Sequence, residues 1–332
     1  MSAYVLGGGG WGTALGMILA ERTDVAVWEY DVDYASEVQR LRENPRYLPG
    51  IRLPDGLAMT SDFSGLSGAA ILVMAVPSNH FREVWRRALP QAKAGQLAVV
   101  ATKGLEPGSL MTMRQVAEDE CLKAGTPAPR FVTLSGPSHA EEVGRRLPTT
   151  VVTASPDVEA ARTVQEAFSR DWFRVYTSPD PLGVEIGGSL KNVVALAAGV
   201  SDGLGLGDNS KAALMTRGLA EMTRLGVAMG AQASTFAGLT GMGDLVVTCM
   251  SRHSRNRGVG ERLGKGERWE DIARGFQQAV EGAVTARSAL DLSKKHKVAL
   301  PISEQVHAIL YEGKDCRLAL KELMARPLKG EA

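Results

Sequence analysis

The chain has 332 residues, of which 44% are hydrophobic and 23% are charged, and these fractions are typical of a soluble globular protein. Its 38 Lys and Arg residues against 37 Asp and Glu residues give a net charge of +1, which favours neither nucleic acid nor a membrane surface as a partner. The composition excludes disorder and collagen-like repeats, and the length suggests two domains. Glycine is in excess, at 37 of 332 residues, or about 11% against a usual ~7%.

Sequence features also predict the cellular location of the protein. The longest apolar runs, residues 69–77 and 193–200, are far shorter than the ~20 residues that span a bilayer. The N-terminus lacks the basic start of a signal peptide. Three cysteines, Cys121, Cys249 and Cys316, are widely spaced, which favours neither a disulfide framework nor a zinc site. We therefore expect a cytoplasmic protein without stable membrane insertion and without a bound metal.

In the first half of the chain, short apolar or β-branched runs alternate with helical patterns. The predicted strands are residues 4–6, 25–28, 70–76, 97–101, 131–134, 150–154 and 174–177, and the predicted helices are residues 13–22, 80–89, 110–123 and 158–169. This alternation indicates βαβ units and a parallel sheet covered by helices on both faces. Two prolines, Pro179 and Pro181, then interrupt the pattern and mark a domain boundary.

From residue 183 onward the pattern is helical. The predicted helices are residues 185–200, 211–229, 283–295, 302–311 and 317–324. We therefore predict an α/β domain over residues 1–180 and an all-α domain over residues 181–332. The apolar helices of the second half favour a homodimer.

A glycine-rich segment, residues 7–12, follows the first predicted strand and opens a helix. It contains the pattern G-x-G-x-x-G at Gly7, Gly9 and Gly12, which permits a tight turn, backbone approach to a pyrophosphate and close helix–strand packing. The helix N-terminus adds N–H groups and a positive dipole end. The segment predicts a Rossmann-type doubly wound sheet that binds a dinucleotide, and a purely structural glycine turn is the alternative.

The second predicted strand is followed by acidic residues. Asp31 lies 19 residues beyond Gly12 (31 − 12), and no Lys or Arg lies between residues 28 and 31. An acid at this place can accept hydrogen bonds from the adenosine ribose and repels a 2′-phosphate. The segment therefore favours NAD over NADP. Alternatively, Asp31 caps a helix that starts near Tyr34.

A series of motifs runs along nearly the whole chain. It comprises residues 7–15 (GGGGWGTAL), 44–50 (NPRYLPG), 75–78 (AVPS), 103–106 (KGLE), 135–142 (SGPSHAEE), 190–193 (LKNV), 241–245 (GMGDL), 248–249 (TC), 254–257 (SRNR) and 280–282 (VEG). In residue types and in order, this series resembles the NAD(P)-dependent glycerol-3-phosphate dehydrogenases. The resemblance implies reversible hydride transfer between NAD(P)H and dihydroxyacetone phosphate, giving sn-glycerol 3-phosphate for glycerophospholipid synthesis.

The resemblance also implies roles for three charged residues. Lys191 is the general acid/base, Lys103 is a second catalytic cation near substrate and cofactor, and Asp244 is a carboxylate that orients Lys191 or a substrate hydroxyl. Reduction of a ketone needs such a proton donor, and burial of a lysine lowers its pKa toward a useful range. The alternatives are lysines that reach solvent and an Asp244 that only caps a helix.

The remaining site residues follow from the same motifs. The predicted substrate-binding residues are Lys103, Gly136, Ser138, Lys191, Asp244, Thr248, Ser254, Arg255 and Asn256, with Arg255 suited to bidentate donation to a phosphate. The predicted cofactor-binding residues are Gly7, Gly9, Gly10, Trp11, Gly12, Tyr30, Asp31, Lys103, Ala140, Arg255, Val280 and Glu281. Further glycines, at 203, 205, 207, 238, 241 and 243, are expected in turns that bracket the site.

Some residues depart from the family pattern. Gly10 stands where a small polar residue is frequent, His139 stands where an aromatic is common, and residues 29–31 lack the basic residue frequent in bacterial members. Two alternative functions remain open: a related dehydrogenase of the β-hydroxyacid or ketopantoate type, and a non-catalytic nicotinamide sensor. The motifs at 103–106 and 254–256 favour the phosphorylated substrate, and Lys191, Asp244 and Arg255 together favour an enzyme.

Overall fold

The computed structural model describes residues 2–276, 280–328 and 330. The chain divides into two compact units. The first comprises Met1–Glu106 and Met111–Glu185, and the second comprises Pro107–Leu110 and Ile186–Ala332. The change from one unit to the other at residues 185 and 186 falls within a helix.

The first unit is built on an eight-stranded sheet. The strands of the described residues are β1 (Ala3–Leu6), β2 (Val25–Trp28), β3 (Glu43–Asn44), β4 (Leu48–Arg52), β5 (Leu57–Thr60), β6 (Ile71–Met74), β7 (Leu97–Val100), β8 (Arg130–Ser135), β9 (Thr149–Ala154) and β10 (Phe173–Ser178). The sheet order is β10-β9-β8-β7-β6-β1-β2-β5, and β3 pairs with β4 separately. The central β1 pairs in parallel with β2 and β6, with Leu6 opposite Trp28 and Met74.

Helices cover both faces of this sheet. They are α1 (Gly10–Ala20), α2 (Val32–Leu41), α3 (Ser78–Ala88), α4 (Met113–Ala124), α5 (Ala140–Gly144) and α6 (Val158–Phe168). Successive strand residues point to opposite faces: Val5 belongs to one apolar cluster, whereas Tyr4 and Leu6 belong to the other. Burial on both faces explains why the strands are continuous apolar runs.

The sheet differs from the prediction in two respects. Strand β9 is antiparallel to β8, because residues 136–148 contain only the five-residue α5, which is too short to cross the sheet and return the chain in parallel. The short strands β3, β4 and β5 were not predicted, since Pro and Gly residues interrupt the segment.

The second unit is helical. Its helices are α7 (Pro181–Gly203), whose first residues belong to the first unit, and α8 (Gly207–Ala228), α9 (Ala233–Ala237), α10 (Asp244–Met250), α11 (Arg255–Gly264), α12 (Trp269–Arg274), α13 (Glu281–His296), α14 (Pro301–Tyr311) and α15 (Cys316–Met324). The predicted fold class, a Rossmann-type doubly wound sheet followed by an all-α domain, is confirmed. None of the described helices is long and apolar enough to cross a membrane.

Glycines let two helices of the second unit touch. A Cβ atom at Gly199 would overlap the carbonyl oxygen of Arg257, and one at Gly260 would overlap that of Leu196. Gly203 and Gly264 continue the same contact four residues further along each helix. Helices α7 and α11 therefore pack backbone against backbone. The prediction that Gly203 lies in a turn was wrong, because α7 extends through it.

Candidate active site

The predicted glycine turn needs glycine for steric reasons. Gly7 has a φ of +120°, and a Cβ atom there would lie 2.9 Å from the backbone of Ala75, while one at Gly12 would overlap the carbonyl oxygen of Gly7. At Gly9, in contrast, no described atom lies within 4 Å of the Cβ position. Neighbouring backbone atoms thus leave no room for a side chain at Gly7 or Gly12, whereas the space beside Gly9 is open. A pyrophosphate could approach the backbone through this open space.

The opening at Gly9 lies at the start of a helix. Helix α1 starts at Gly10, and its N-cap Gly9 provides no side-chain hydrogen bond to the first turn. The Nε1 of Trp11 is buried and has no hydrogen-bond partner among the described residues, and such orphaned donors call for an additional acceptor. Gly10 also lies beside Ala140, because a Cβ atom at Gly10 would be 3.5 Å from Ala140 Cβ. The arrangement suits the phosphates of a dinucleotide.

Asp31 caps a helix, as the alternative interpretation of the sequence proposed. Its Oδ1 accepts a hydrogen bond from Tyr34 N at 3.0 Å and so caps α2. Its Oδ2 lies 3.7 Å from a guanidinium nitrogen of Arg46, and that guanidinium stacks on the Tyr34 ring at 3.9 Å. Tyr30 is 71% exposed. A role for Asp31 at the cofactor ribose stays a prediction. The ion pair with Arg46 was not predicted, because Arg46 is 15 residues away in the sequence (46 − 31).

A second missed residue lies in the same segment. Glu29 directly follows β2 and is only 4% exposed. Its Oε1 accepts a hydrogen bond from Asp31 N at 3.2 Å, and its Oε2 would lie 2.6 Å from a Cβ atom at Gly8. Burial raises the pKa of the Glu29 carboxyl, against the lowering effect of the Asp31 and Tyr30 N–H groups. Its position directly after a predicted strand is the feature of the sequence that could have identified it.

Three predicted residues meet at the ends of β7 and β8. The Nζ of Lys103 donates to the carbonyl oxygen of Gly136 at 3.1 Å, and the Oγ of Ser138 donates to the same oxygen at 2.9 Å. Gly136 has a φ of +141°, and a Cβ atom there would lie 2.9 Å from Val151 Cα, so only glycine fits. The loop that carries Lys103 is fixed by Glu106, whose two carboxylate oxygens accept from Arg82 at 2.6 Å.

In the second unit, Lys191 is enclosed with a carboxylate and a hydroxyl. Its side chain is 8% exposed, and Nζ donates to Asp244 Oδ1 and, at 2.9 Å, to Thr248 Oγ1. Asp244 is 1% exposed. The Thr248 hydroxyl donates in turn to the Asp244 carbonyl oxygen at 2.5 Å. A buried ammonium is tolerated only when it is paired in this way.

Local backbone geometry aims Asp244 at Lys191. One turn of π-helix, Leu239–Gly243, precedes α10, whose N-cap residue is Gly243. Asp244 therefore does not cap the helix with its side chain, in contrast to the alternative considered from the sequence. A Cβ atom at Gly187 would lie 2.5 Å from the carbonyl oxygen of Thr240, so this turn packs against α7 one helical turn before Lys191.

An amide chain connects three further motifs. The Nδ2 of Asn256 donates to Asn192 Oδ1 at 3.0 Å, and Asn256 Oδ1 accepts from Gly282 N at 2.9 Å. The Nδ2 of Asn192 donates to Glu281 Oε2 at 3.4 Å. Asn192 was not among the predicted site residues, although it stands beside Lys191 in the motif. These bonds hold the ends of α11 and α13 against α7.

The last predicted cluster lies at the start of α11. Ser254 is the N-cap residue, with its Oγ accepting from Arg257 N at 3.2 Å, and Arg255 is exposed at the first helical position. Arg257 is directed elsewhere and pairs with Asp202 at 2.6 Å. Val280, 6% exposed, is the N-cap residue of α13. Arg255 and the first N–H groups of α11 thus form a cationic helix end suited to an anion.

Comparisons with known proteins agree over both halves of the chain. Residues 2–161 match the family model described as NAD-dependent glycerol-3-phosphate dehydrogenase N-terminus, and residues 180–321 match the model of its C-terminus. A relative from Pelotomaculum thermopropionicum, named glycerol-3-phosphate dehydrogenase (NAD(P)+), is 50% identical over 97% of this chain and 92% of its own length. The chain belongs to the NAD-dependent glycerol-3-phosphate dehydrogenase family. The resemblance drawn from the motifs is therefore confirmed.

Solved structures support the same assignment. Glycerol-3-phosphate dehydrogenase from Coxiella burnetii is 39% identical, with a TM-score of 0.92 over 98% of this chain and 99% of that one. A ketopantoate reductase from Ralstonia eutropha is 14% identical with a TM-score of 0.60, over 98% of this chain and 100% of that one. This second likeness shows only a shared fold and does not support the ketopantoate alternative.

Proposed function

We propose that the chain catalyses reversible hydride transfer between NAD(P)H and dihydroxyacetone phosphate, giving sn-glycerol 3-phosphate. Membership of the family over both halves supports this reaction. The observation that carries it is the buried Lys191 ammonium, held on Asp244 and Thr248, because reduction of a ketone needs a positioned proton donor. Residues 1–180 act as the dinucleotide-binding domain, and residues 181–332 act as the substrate and catalytic domain.

The first unit has the residues that would hold the dinucleotide. The open position at Gly9 and the N–H groups at the start of α1 receive the pyrophosphate, and Trp11 is a further predicted contact. The remaining predicted contacts of the first unit are with Gly7, Gly10, Gly12, Tyr30, Asp31, Lys103 and Ala140, and those of the second unit are with Arg255, Val280 and Glu281. A bound nicotinamide supplies the hydride, and the protein supplies position and charge.

Lys191 handles the proton. In the direction of reduction its ammonium donates a proton to the C2 oxygen of the substrate, and in the direction of oxidation the neutral amine accepts the hydroxyl proton. Asp244 holds the ammonium and favours its reprotonation, while Thr248 fixes the direction of Nζ. Lys103, with Gly136 and Ser138, adds a second cation for the substrate oxygens.

The phosphate is held by the start of α11. Arg255 donates bidentately, as guanidinium groups do to phosphates, and the first N–H groups of α11 add the favourable end of the helix dipole. Ser254 and Asn256 keep this helix end in place through the Arg257 N cap and the bonds to Asn192 and Gly282. A carboxylate substrate offers fewer acceptor oxygens to this set of donors.

The finer assignments belong to the same proposal. The acidic residues after β2 favour NAD over NADP as the cofactor. The product would serve glycerophospholipid synthesis, and the enzyme would act in the cytoplasm as a homodimer, with neither nucleic acid nor membrane as a partner. Each of these assignments can fail without affecting the reaction itself.

Following NADH absorbance tests the reaction. We expect rapid oxidation of NADH when dihydroxyacetone phosphate is added, and no oxidation with ketopantoate or a β-keto acid as the control substrate. Oxidation that depends on a carbonyl acid and not on the phosphorylated ketone would replace this proposal with the alternative dehydrogenase.

A further inference from the structure

The motif at residues 44–50 contributes no predicted site residue, although it lies against the glycine turn. It spans the end of β3 and the start of β4, which pair as a short hairpin. Its first residue, Asn44, is 0% exposed. Further along, the carbonyl oxygen of Tyr47 would lie 2.8 Å from a Cβ atom at Gly10, so the hairpin packs directly on the first residue of α1. The hairpin therefore supports the glycine turn.

The buried Asn44 side chain uses all of its hydrogen-bonding capacity. Its Nδ2 donates to the carbonyl oxygen of Gly8 at 2.8 Å and to Thr13 Oγ1 at 2.8 Å. Its Oδ1 accepts from the Tyr34 hydroxyl at 2.6 Å and from Tyr47 N at 3.2 Å. An amide has two donor hydrogens and an acceptor oxygen with two lone pairs. Because the Gly8 oxygen can only accept and Tyr47 N can only donate, these bonds determine the orientation of the amide.

The Gly8 carbonyl group is held by two buried donors. Besides the bond from Asn44, it accepts from Thr13 Oγ1 at 3.3 Å, and Thr13 is also 0% exposed. A peptide unit is planar and trans, so its C=O and its N–H point in opposite directions. The N–H of Gly9 therefore points away from the buried pair of Asn44 and Thr13.

This peptide needs a partner outside the turn to fix its direction. It joins Gly8 to Gly9, and neither residue has a Cβ atom that would resist rotation of the peptide plane. No described atom lies within 4 Å of the Cβ position of Gly9, so packing around that position does not restrain it either. The hydrogen bonds from Asn44 and Thr13 are thus the restraint on the Gly8 carbonyl.

We propose that Asn44 is a positioning residue for cofactor binding, which holds the peptide between Gly8 and Gly9 with its N–H directed at the pyrophosphate. The proposal rests on the proposed function, in which the glycine turn binds a dinucleotide. Asn44 acts through the backbone and does not itself touch the cofactor. It also gives the motif at residues 44–50 a role.

Binding to the full chain, without substrate, tests this role with NADH, ADP and adenosine as probes. NADH and ADP contain a pyrophosphate, whereas adenosine has no phosphate. Asn44→Leu keeps a similar shape and adds no charge. We expect it to raise the Kd for NADH and ADP about tenfold, as for the loss of one hydrogen bond to a charged group. The Kd for adenosine, measured by displacement of NADH, should change less than about threefold, because adenosine offers this N–H no acceptor.

Tyr34→Phe is the matched control. It removes the hydroxyl that donates to Asn44 Oδ1 and leaves the bond from Asn44 Nδ2 to the Gly8 oxygen in place. We expect both variants to lose stability in urea unfolding, since each breaks a buried hydrogen bond. In Tyr34→Phe, however, all three Kd values should stay within about threefold of those of the unchanged protein. A purely structural role of Asn44 would give the two variants the same binding.

Three results would overturn the proposal: an unchanged Kd for NADH in Asn44→Leu, an equal rise for adenosine and ADP, or the same rise in Tyr34→Phe. If Asn44→Leu does not fold by circular dichroism, Thr13→Val, which removes the other donor to the Gly8 oxygen, must weaken NADH and ADP and spare adenosine; unchanged affinities would contradict the proposal. An unchanged protein that binds no NADH would overturn the dinucleotide site and this proposal together. A chain that binds NADH but does not reduce dihydroxyacetone phosphate would contradict only the proposed reaction.

Discussion

Gly9 in the first unit and the pair of Gly199 and Gly260 in the second unit serve opposite purposes. In the first unit, Gly9 leaves open space beside a helix N-terminus, where a ligand can approach the backbone. In the second unit, Gly199 and Gly260 remove side chains so that α7 and α11 touch, and this contact positions Lys191 relative to the start of α11. Glycine is therefore placed for ligand binding at Gly9 and for helix packing at Gly199 and Gly260.

Disruption of the helix contact gives the largest expected change in stability. In Gly199→Ala the new methyl group overlaps the Arg257 carbonyl oxygen, so the helices must separate. Overpacking of this kind costs about 3 kcal/mol, which urea unfolding measures as a lower midpoint. An alanine at Gly258 of the partner helix α11, whose Cβ position faces open space, is the matched control. Equal midpoints for the two variants would contradict the packing role.

A buried carboxylate of the second unit makes its stability depend on pH. Glu221 is 3% exposed and accepts from Ile302 N at 2.7 Å at the start of α14, and burial raises its pKa to about 7. Between pH 4.5 and 7 the Glu221 carboxyl is protonated in the folded protein. In the unfolded chain its pKa has the ordinary value of 4.5, so the carboxyl loses its proton over the same range. Stability from this group is thus complete below pH 4.5 and is lost as the pH rises to 7.

The substitution Glu221→Gln isolates that effect. Relative to the variant, the unchanged protein should lose about 3 kcal/mol of unfolding free energy between pH 4.5 and 7. Denaturant unfolding at a series of pH values measures the difference, in which contributions from all other groups cancel. Parallel stability curves for the two proteins would show that Glu221 titrates normally.

Substitution in the phosphate site of the second unit should weaken substrate binding and leave cofactor binding nearly unchanged. In Arg255→Ala the bidentate donor is lost, and we expect the KM for dihydroxyacetone phosphate to rise about 30-fold, or about 2 kcal/mol. The KM for NADH should change less than threefold or so. Arg252→Ala, at an exposed neighbour in the sequence, is the control. A larger change for NADH than for dihydroxyacetone phosphate would contradict the phosphate role of Arg255 and leave only its predicted contact with the cofactor.

The smallest effect is expected at the glycine turn. Gly9 has a φ of −67°, which alanine adopts easily, so Gly9→Ala should change the unfolding free energy by less than about 1 kcal/mol. Its methyl group enters the open space proposed for the pyrophosphate, and the Kd for NADH should rise about tenfold. On the same sample, calorimetry measures the Kd for NADH and urea unfolding measures the unfolding free energy, so the two effects are separated. A loss of stability with unchanged binding would mean that Gly9 also serves packing and not the pyrophosphate.

Local patterns predicted the elements that carry strong periodicity or strong motifs. Strand β1, the glycine turn and most of α7 follow from apolar runs and from glycine spacing, and Lys191, Asp244 and Thr248 were singled out together. The contact of Lys191 with Asp244 joins residues 53 positions apart in the chain, which no local pattern describes. The Asn192–Asn256 bond, the Arg46–Asp31 pair and the direction of Glu29 also arise from tertiary packing, as do the short helices α9 and α12.

Turnover of Lys191→Ala tests the central claim most directly. Because a general acid contributes about 10²- to 10⁴-fold, kcat for NADH oxidation by dihydroxyacetone phosphate should fall about a thousandfold. The Kd for NADH should be unchanged, since the glycine turn belongs to the first unit. Asp244→Asn, which leaves the lysine in place, should be impaired less. A Lys191→Ala protein that binds NADH normally and turns over at nearly the original rate would contradict the account.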